Sequence, residues 1–333
     1  MNKFIIGISG LITFIAIVIV LILSLEDLEK SSYKIGVLMT GENRLIKLDG
    51  MESGLEKLGY QLDSIEFIVE DAGDDVSKLD ELAQDLLKKK PDLIVSLGGI
   101  ETQVLEKNMK KIQTFIPTVF VGIAGPYELG LIKEYKSPGS YFTGVNNFHM
   151  NLSSKRLEMF TELVPNMERV YVIYSGGVDI SEMSLDIVHE AALKMNVDII
   201  EVDLNRTGAL KQLEAKLINR DGILTLPSYQ VELVAEEISA LALRKNVPTM
   251  GIYEYEVEAG YLFSYGSMFF DQGYQAARHV SLILQGNEAS DLPVELPDSI
   301  RFIINEEVRK TLAIDVNQDI SKLAEKYERG SER

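Results

Sequence analysis

The chain has 333 residues, the length of about two domains or of one large α/β unit. Hydrophobic residues make up 46% and charged residues 25%, which is typical of a folded globular protein and excludes wholesale disorder and a coiled coil. The net charge is −18, and no stripe of lysine and arginine offsets it, so nucleic acid is not an expected partner. The lack of cysteine excludes disulfides, zinc ribbons, iron–sulfur clusters and thiol catalysis. His149, His189 and His279 show no metal-ligand spacing, so no metal is expected.

The N-terminal segment contains an uncharged, mostly apolar run of 20 residues, 4–23, which is long enough to span a bilayer as a helix. Lys3 precedes the run and Glu26, Asp27 and Glu29 follow it, which places the amino end in the cytoplasm and the rest outside. The run is longer than a signal-peptide core and does not end in small residues, and no lipoprotein cysteine follows it. We therefore predict that residues 1–30 form an uncleaved signal anchor, a single-pass transmembrane helix of a bacterial cell membrane with the binding domain extracytoplasmic. A cleaved signal peptide and a secreted product is the alternative.

Strand-like and helix-like segments alternate along the remaining chain. The first set has strands predicted over 34–38, 65–69, 93–97 and 118–121, with helices over 45–58, 76–89 and 101–111, and a short extended segment over 141–145. The second set has helices over 152–163, 181–195, 209–218 and 231–244, with strands over 170–174, 199–202, 222–226 and 249–251. Strands over 262–264 and 301–304 and a helix over 270–284 must rejoin an earlier sheet, and the polar tail after Val316 is expected to be a surface helix or a frayed end. The order predicts an α/β protein of two Rossmann-like lobes with parallel sheets.

Ligands of open parallel sheets bind beyond the carboxyl ends of the strands, where both predicted lobes have loops rich in small residues. Several of these loops open into helices, whose free N–H groups favour an anionic group such as a carboxylate. The alternative is that glycine and serine only form tight turns there. The candidate ligand-binding residues are Thr40, Gly98, Gly99, Thr102, Ala124 and Tyr127 in the first lobe, and Ser175, Gly176, Ser228, Tyr229, Tyr253 and Glu254 in the second.

No catalytic motif accompanies these loops. The phosphate-binding pattern G-x-x-x-x-G-K-[ST] and the nucleophile elbow G-x-S-x-G are absent from the sequence, and Gly98-Gly99 lacks the third glycine of a dinucleotide fingerprint. We therefore predict a binding protein rather than an enzyme, with no catalytic residue and no cofactor.

An ordered series of short segments resembles the substrate-binding proteins of ABC transporters, in the branch with type I periplasmic-binding-protein architecture that includes tryptophan and other aromatic amino-acid binders. The resemblance covers about 35–316 and rests on IGV (35–37), GLEKLGY (54–60), PDLIV (91–95), IPTVF (116–120), SPG (137–139), TGV (143–145), ELVPN (162–166), YG (265–266), LPVELP (292–297) and IN (304–305). Three expected ligand positions depart from the family pattern, at Gly125, at 175–177 and at 229–230. The resemblance therefore implies the fold but not the identity of the ligand.

The resemblance implies one lobe from 31–145 with about 256–295 and a second from 146–255 with about 296–316, followed by a tail, 317–333. Crossing strands near 143–145, 253–256 and 296–303 would join the lobes, and hinge closure would bury a small molecule between them. The implied function is the extracytoplasmic solute-binding component of an ABC importer, which delivers its ligand to a permease driven by an ATPase. A ligand-sensing module for a signalling partner and a two-lobed transferase are the alternatives.

An amino-acid ligand would require a carboxylate for its ammonium group, because burying an unpaired cation is costly. Among Glu42, Glu101 and Glu254, we favour Glu254, which follows a predicted strand at a lobe crossing. Tyr127, Tyr229 and Tyr253 would supply flat apolar walls. The alternative is that Glu254 is a solvated acid and that the tyrosines pack the hinge.

Overall fold

The structure is a computed structural model that describes residues 33–328. The predicted anchor, 4–23, lies outside these residues, and within them no helix is long and apolar enough to cross a bilayer. The strands are β1 Tyr33–Met39, β2 Ile65–Asp71, β3 Leu93–Ser96, β4 Thr118–Ile123, β5 Phe142–Asn146, β6 Arg169–Tyr174, β7 Asp198–Asp203, β8 Asp221–Thr225, β9 Thr249–Gly251, β10 Phe263–Gly266, β11 Arg301–Asn305 and β12 Glu325–Tyr327. The helices are α1 Leu45–Lys57, α2 Leu79–Lys88, α3 Gly99–Ile112, α4 Ser153–Leu163, α5 Asp179–Met195, α6 Ala209–Lys216, α7 Tyr229–Leu233, α8 Ala235–Lys245, α9 Glu254–Glu258, α10 Phe269–Leu284, α11 Glu306–Leu312 and α12 Gln318–Ser321.

The first sheet is fully parallel and has the order β2-β1-β3-β4-β5. Side chains of β1 point into two hydrophobic cores, one on each face of the sheet, because successive side chains alternate between the faces of a strand. Ile35 and Val37 pack with residues of α1 and α10, whereas Leu38 packs with residues of α2 and α3. Helices thus cover both faces, which explains why β3 and β4 are buried along their whole length.

The second sheet has the order β12-β11-β10-β9-β8-β6-β7. Its strands are parallel except where β11 runs antiparallel to β10. The predicted α/β class with parallel sheets is therefore confirmed, and every strand predicted from the sequence is present within a few residues of its expected bounds.

Three predictions about elements need correction. The helix expected over 231–244 is two helices, α7 and α8, which are interrupted at Val234, whose φ of −109° and ψ of 15° are not helical. The short helices α9 and α11 were not predicted. The tail is more ordered than expected, because β12 pairs with β11 and extends the second sheet.

The division of the C-terminal third between the lobes also differs from the expectation. Strand β10 was assigned to the first lobe, but it pairs with β9 and β11 in the second sheet. Helix α10 does return to the first sheet and packs on α1. The expected crossing strand at 253–256 is instead the start of α9. After β10 of the second sheet, the chain returns to the first sheet with α10.

The contact between α1 and α10 is a backbone-to-backbone contact. A Cβ atom at Gly273 would lie 1.8 Å from the carbonyl oxygen of Lys47, and one at Gly50 would lie 2.2 Å from that of Phe270. Only glycine permits this approach. The contact fixes the first turns of α1 at the carboxyl ends of β3 and β4.

Candidate functional site

A cavity of about 230 Å³ lies where the carboxyl ends of the two sheets face each other. Two contacts between the lobes close over it. Arg44 Nη2 lies 2.8 Å from Glu232 Oε2, and the Tyr229 hydroxyl donates to Asp74 Oδ1 at 3.3 Å. The lining residues are Arg44, Lys47, Gly98, Gly99, Ile100, Gln103, Gly122, Ile123, Ala124, Leu129, Asn147, Gly177, Val178, Asp179, Ile180, Pro227, Ser228, Tyr229, Gln230, Glu232 and Tyr253.

Lys47 forms part of the first-lobe side of the cavity. Its ammonium group donates to the carbonyl oxygens of Leu97 at 2.9 Å and Val121 at 2.8 Å, and lies 3.4 Å from that of Gly122. These carbonyls belong to the ends of β3 and β4, so Lys47 ties the two strand ends together. Burial lowers the pKa of Lys47 well below its ordinary value. Because its donors are used by the backbone, we assign Lys47 a positioning role.

Arg44 is the cation that faces the other lobe. Besides Glu232, its guanidinium lies 3.8 Å from Glu101 Oε1 and over the rings of Phe269 and Tyr229, at 5.1 Å and 5.8 Å from their centroids. Burial opposes its charge, but the carboxylates of Glu232 and Glu101 outweigh burial and raise the pKa of Arg44. The cavity therefore keeps a positive group at this end.

The start of α3 contributes Gly98, Gly99 and Ile100 to the same end. A Cβ atom at Gly98 would lie 2.3 Å from Glu101 Oε2, whereas one at Gly99 would meet nothing within 4 Å. Glu101 is fully buried beneath this turn, and its burial raises its pKa against the effect of Arg44. Thr102 is also buried, where its hydroxyl bonds with Ser96 Oγ and the Gly98 carbonyl.

The opposite wall comes from the second lobe. Val178, Asp179 and Ile180 line it at the start of α5, together with Ser228 at the start of α7. Asp179 is exposed to the cavity and forms no ion pair with any residue of 33–328. This side of the cavity therefore presents two carboxylates, Glu232, which pairs with Arg44, and Asp179, which lies beside Val178 and Ile180.

Tyr253 adds an aromatic surface. Its ring lies 4.7 Å from that of Phe269, 5.4 Å from that of Tyr255 and 4.9 Å from that of His149. Burial raises the pKa of Tyr253 well above its ordinary value, so its hydroxyl stays protonated. The neighbouring residue Glu254 does not line the cavity, and its Oε1 accepts from the backbone N–H of Phe269 at 2.8 Å.

The structure brings six of the twelve predicted site residues to the cavity, namely Gly98, Gly99, Ala124, Ser228, Tyr229 and Tyr253. Thr102, Ser175 and Gly176 lie behind its wall: Ser175 bonds Ser228 Oγ at 2.8 Å, and the Gly176 N–H donates to Asp203. Thr40 lines an adjoining crevice of about 650 Å³, and Tyr127 and Glu254 are not among the lining residues. Whether any of these residues contacts a ligand stays a prediction.

The charged residues of the cavity were not predicted from the sequence. Arg44 and Lys47 follow the end of β1 by five and eight residues, and their spacing of three places them about one turn apart on a helix. That spacing was a usable signal, since both follow the carboxyl end of a strand. Glu232 and Asp179 carry no comparable signal, because charged residues in a first helical turn are common on solvated surfaces.

Comparison with known proteins decides the family. The model of the ABC transporter substrate binding protein family matches residues 33–328. The chain belongs to this family. The resemblance found in the sequence is thereby confirmed, and binding of a small ligand is the family's role.

Individual relatives share the fold at low identity. A tyrosine-binding protein of Clostridioides difficile (strain R20291) is 27% identical over 266 residues, which are 79% of this chain and 75% of that protein. An ABC domain from Streptococcus pneumonia in complex with L-Trp is 21% identical with a TM-score of 0.78, over 89% of this chain and 99% of that one. A ligand-free, open substrate binding protein with adhesive properties from Clostridium difficile is 22% identical with a TM-score of 0.68, over 89% and 99%.

Proposed function

We propose that this chain is the substrate-capturing component of an ABC importer and that its ligand is an amino acid with an aromatic side chain. The observation that carries the proposal is the polarity of the cavity. It has a cation and a helix start on the first-lobe side, and apolar side chains among its lining residues. On the second-lobe side it has Glu232, which pairs with Arg44, and Asp179, which forms no ion pair within 33–328. A zwitterion with an apolar side chain matches this pattern.

The carboxylate of the ligand would bind at the first-lobe end. Arg44 supplies the positive charge, and the free N–H groups at the start of α3, at Gly99 and Ile100, supply donors. The space around Gly99 is open, which allows a ligand to approach the backbone.

The ammonium group would bind Asp179, which replaces Glu254 in our assignment. Glu254 is engaged with the backbone of α10, and Glu232 is engaged with Arg44. Asp179 is the carboxylate at the cavity that forms no ion pair within 33–328.

The side chain of the ligand would lie between Tyr253 and Tyr229 on one side and aliphatic residues such as Leu129 and Ile180 on the other. A volume of about 230 Å³ is smaller than the roughly 300–1,000 Å³ of sites for drug-sized ligands and suits a single amino acid. The tyrosine and tryptophan named for two relatives support the same class.

Delivery to a permease, and anchoring by residues 4–23, complete the proposal. Membership of the family supports the first, and the 20-residue apolar run supports the second. An anchor would hold the protein near its permease and raise its local concentration there.

A ligand panel tests the proposal directly. The full chain in mild detergent is titrated with the twenty amino acids, sugars and nucleosides while its melting temperature is recorded. We expect the aromatic amino acids to raise the melting temperature and the sugars and nucleosides to leave it unchanged. A sugar or nucleoside that binds while no amino acid does would contradict the proposal.

Asp179→Asn tests the ammonium partner. The substitution keeps the shape and removes the charge, so we expect binding of the amino acid to weaken about tenfold or more. An analogue of the ligand without its amino group should bind parent and variant equally, because the interaction is already missing. Asp186→Asn is the control, since Asp186 is exposed on the same helix away from the cavity. Equal affinity of parent and Asp179→Asn for the amino acid would exclude this role.

A further inference from the structure

One corner of the first lobe gathers lysines from segments that are separate in the sequence. Helices α2 and α3 pack side by side and both end at the amino edge of the first sheet, next to the starts of β3 and β4. Each helix ends in lysines. We call this surface the basic corner, and it consists of Lys88, Lys89, Lys90, Lys110, Lys111, Ile112, Phe115 and Tyr141.

The lysines are only partly neutralised. Lys88 pairs with Asp85 at 2.8 Å, Lys110 with Glu106 at 2.5 Å and Lys89 with Glu70. Lys90 and Lys111 are exposed and form no ion pair within the described residues. A fourth acid near the corner is Asp92, which accepts from the backbone N–H of Lys34, so five lysines stand against four acids. The corner is therefore a positive surface on a chain with a net charge of −18.

Exposed apolar groups lie beside these lysines. Phe115 and Tyr141 stack with their centroids 4.7 Å apart and their planes at 14°, yet they are 41% and 48% exposed. Ile112 is 44% exposed. Aromatic rings next to lysines, whose stems cover apolar groups while the ammonium reaches the polar phase, are typical of surfaces at a membrane interface.

The chain also enters the first lobe at this edge. Tyr33 begins β1, which is the neighbour of β3 in the sheet. Nine residues, 24–32, separate it from the apolar run, and they reach at most about 30 Å. A membrane-bound run would thus keep the amino edge of the first sheet close to the lipid surface.

We propose that the basic corner rests on the anionic headgroup surface of the membrane that holds the chain. This inference rests on the anchor in the proposed function, which brings the edge within reach. Attraction acts within about 10 Å of the surface, so the corner faces the lipid while the acidic remainder is repelled. The corner therefore orients the first lobe with its amino edge toward the membrane.

An environment-sensitive fluorophore can test the contact, because the chain has no cysteine of its own. Thr114→Cys places the label between Lys111 and Phe115, and Asn219→Cys places it at the amino edge of the second sheet. The full chain is reconstituted in phosphatidylcholine vesicles with or without phosphatidylglycerol. We expect a blue shift and a rise of about twofold in emission at Thr114→Cys on the anionic vesicles, reversed by high salt, and no change at Asn219→Cys.

Charge reversal supplies the matched controls. Lys90→Glu with Lys111→Glu should abolish the response, whereas Lys211→Glu with Lys216→Glu, on the second lobe, changes the net charge equally and should preserve it. Equal emission on both kinds of vesicle would overturn the proposal. An emission rise at Thr114→Cys that depends on the density of protein in the vesicles and not on lipid charge would also overturn the proposal, because it would indicate contact between copies of the chain. Loss of the chain from sedimented vesicles at high salt would disprove the anchor separately.

Discussion

Glu256 is a buried carboxylate directly behind the cavity wall. Its Oε2 accepts from the backbone N–H groups of Ile252 at 2.5 Å and Tyr253 at 2.8 Å, so it holds the turn that presents the Tyr253 ring. Burial outweighs these hydrogen bonds and raises the pKa of Glu256 from 4.5 to about 7. Because the folded state binds this proton more tightly than the unfolded state, the resulting stabilisation is complete below pH 4.5 and is lost as the pH rises through about 7.

Glu256→Gln should remove this pH dependence. The amide keeps an oxygen for the two N–H groups but does not ionise, so the variant should gain stability over the parent as the pH rises, by about 3 kcal/mol at neutral pH and above. Melting temperatures of both proteins across this pH window measure the difference. Glu258→Gln, at an exposed neighbour on α9, should follow the parent. A constant difference between parent and Glu256→Gln at every pH would contradict the assignment.

Single residues of the site were only partly predictable. Gly98, Gly99 and Ser228 of the cavity were found because the alternation of strands and helices fixes where the loops lie, whereas Gly122 and Gly177 were not among the predicted site residues. The position of Arg44 after β1 could have been noticed, but its pairing with Glu232 could not, because Glu232 belongs to the other lobe and no pattern in the sequence joins them. Glu254 was expected at the cavity, but α9 turns its carboxylate toward the backbone of α10, an orientation that the sequence does not indicate.

At the scale of elements, the contact between α1 and α10 determines where Lys47 lies. Gly273→Ala would place a methyl group 1.8 Å from the Lys47 carbonyl oxygen, so the helices must separate. We expect a loss of about 3 kcal/mol and a melting temperature lower by about 5 °C. Gly99→Ala is the matched control, because nothing lies within 4 Å of its added carbon. Equal melting temperatures of the two variants would show that the helices can separate without cost.

The sequence predicted long elements better than short ones or their partners. Periodic patterns of ten or more residues identify a helix, whereas α9 and α11 have five and seven residues. Strand β10 was predicted, but its place in the second sheet was not, because strand pairing depends on residues far away in the chain. The break between α7 and α8 at Val234 was not predicted, because the apolar pattern of the sequence continues through it.

For the whole molecule, the ion pair of Arg44 with Glu232 favours the closed arrangement of the lobes. Glu232→Gln removes the charge, so the ligand-free chain should shift toward an open state by about 1–2 kcal/mol. Fluorophores on Tyr127→Cys and Met183→Cys, one exposed position on each lobe, should report lower energy transfer in this variant. Glu236→Gln, an exposed acid on α8, should leave the transfer unchanged. Identical transfer in Glu232→Gln and the parent would contradict a closing role.

The packing of α10 on α1 also has a consequence for how the protein is made. Residues 33–146 provide the strands of the first sheet and α1, but the second helix that covers the α1 face of the sheet is α10, at 269–284. During synthesis the second lobe is translated in between, while the face formed by Ile35 and Val37 is covered by α1 but still lacks α10. The lobe that is begun first is therefore finished last, and a ribosome that stops before Phe269 releases a chain with this apolar face partly open to aggregation.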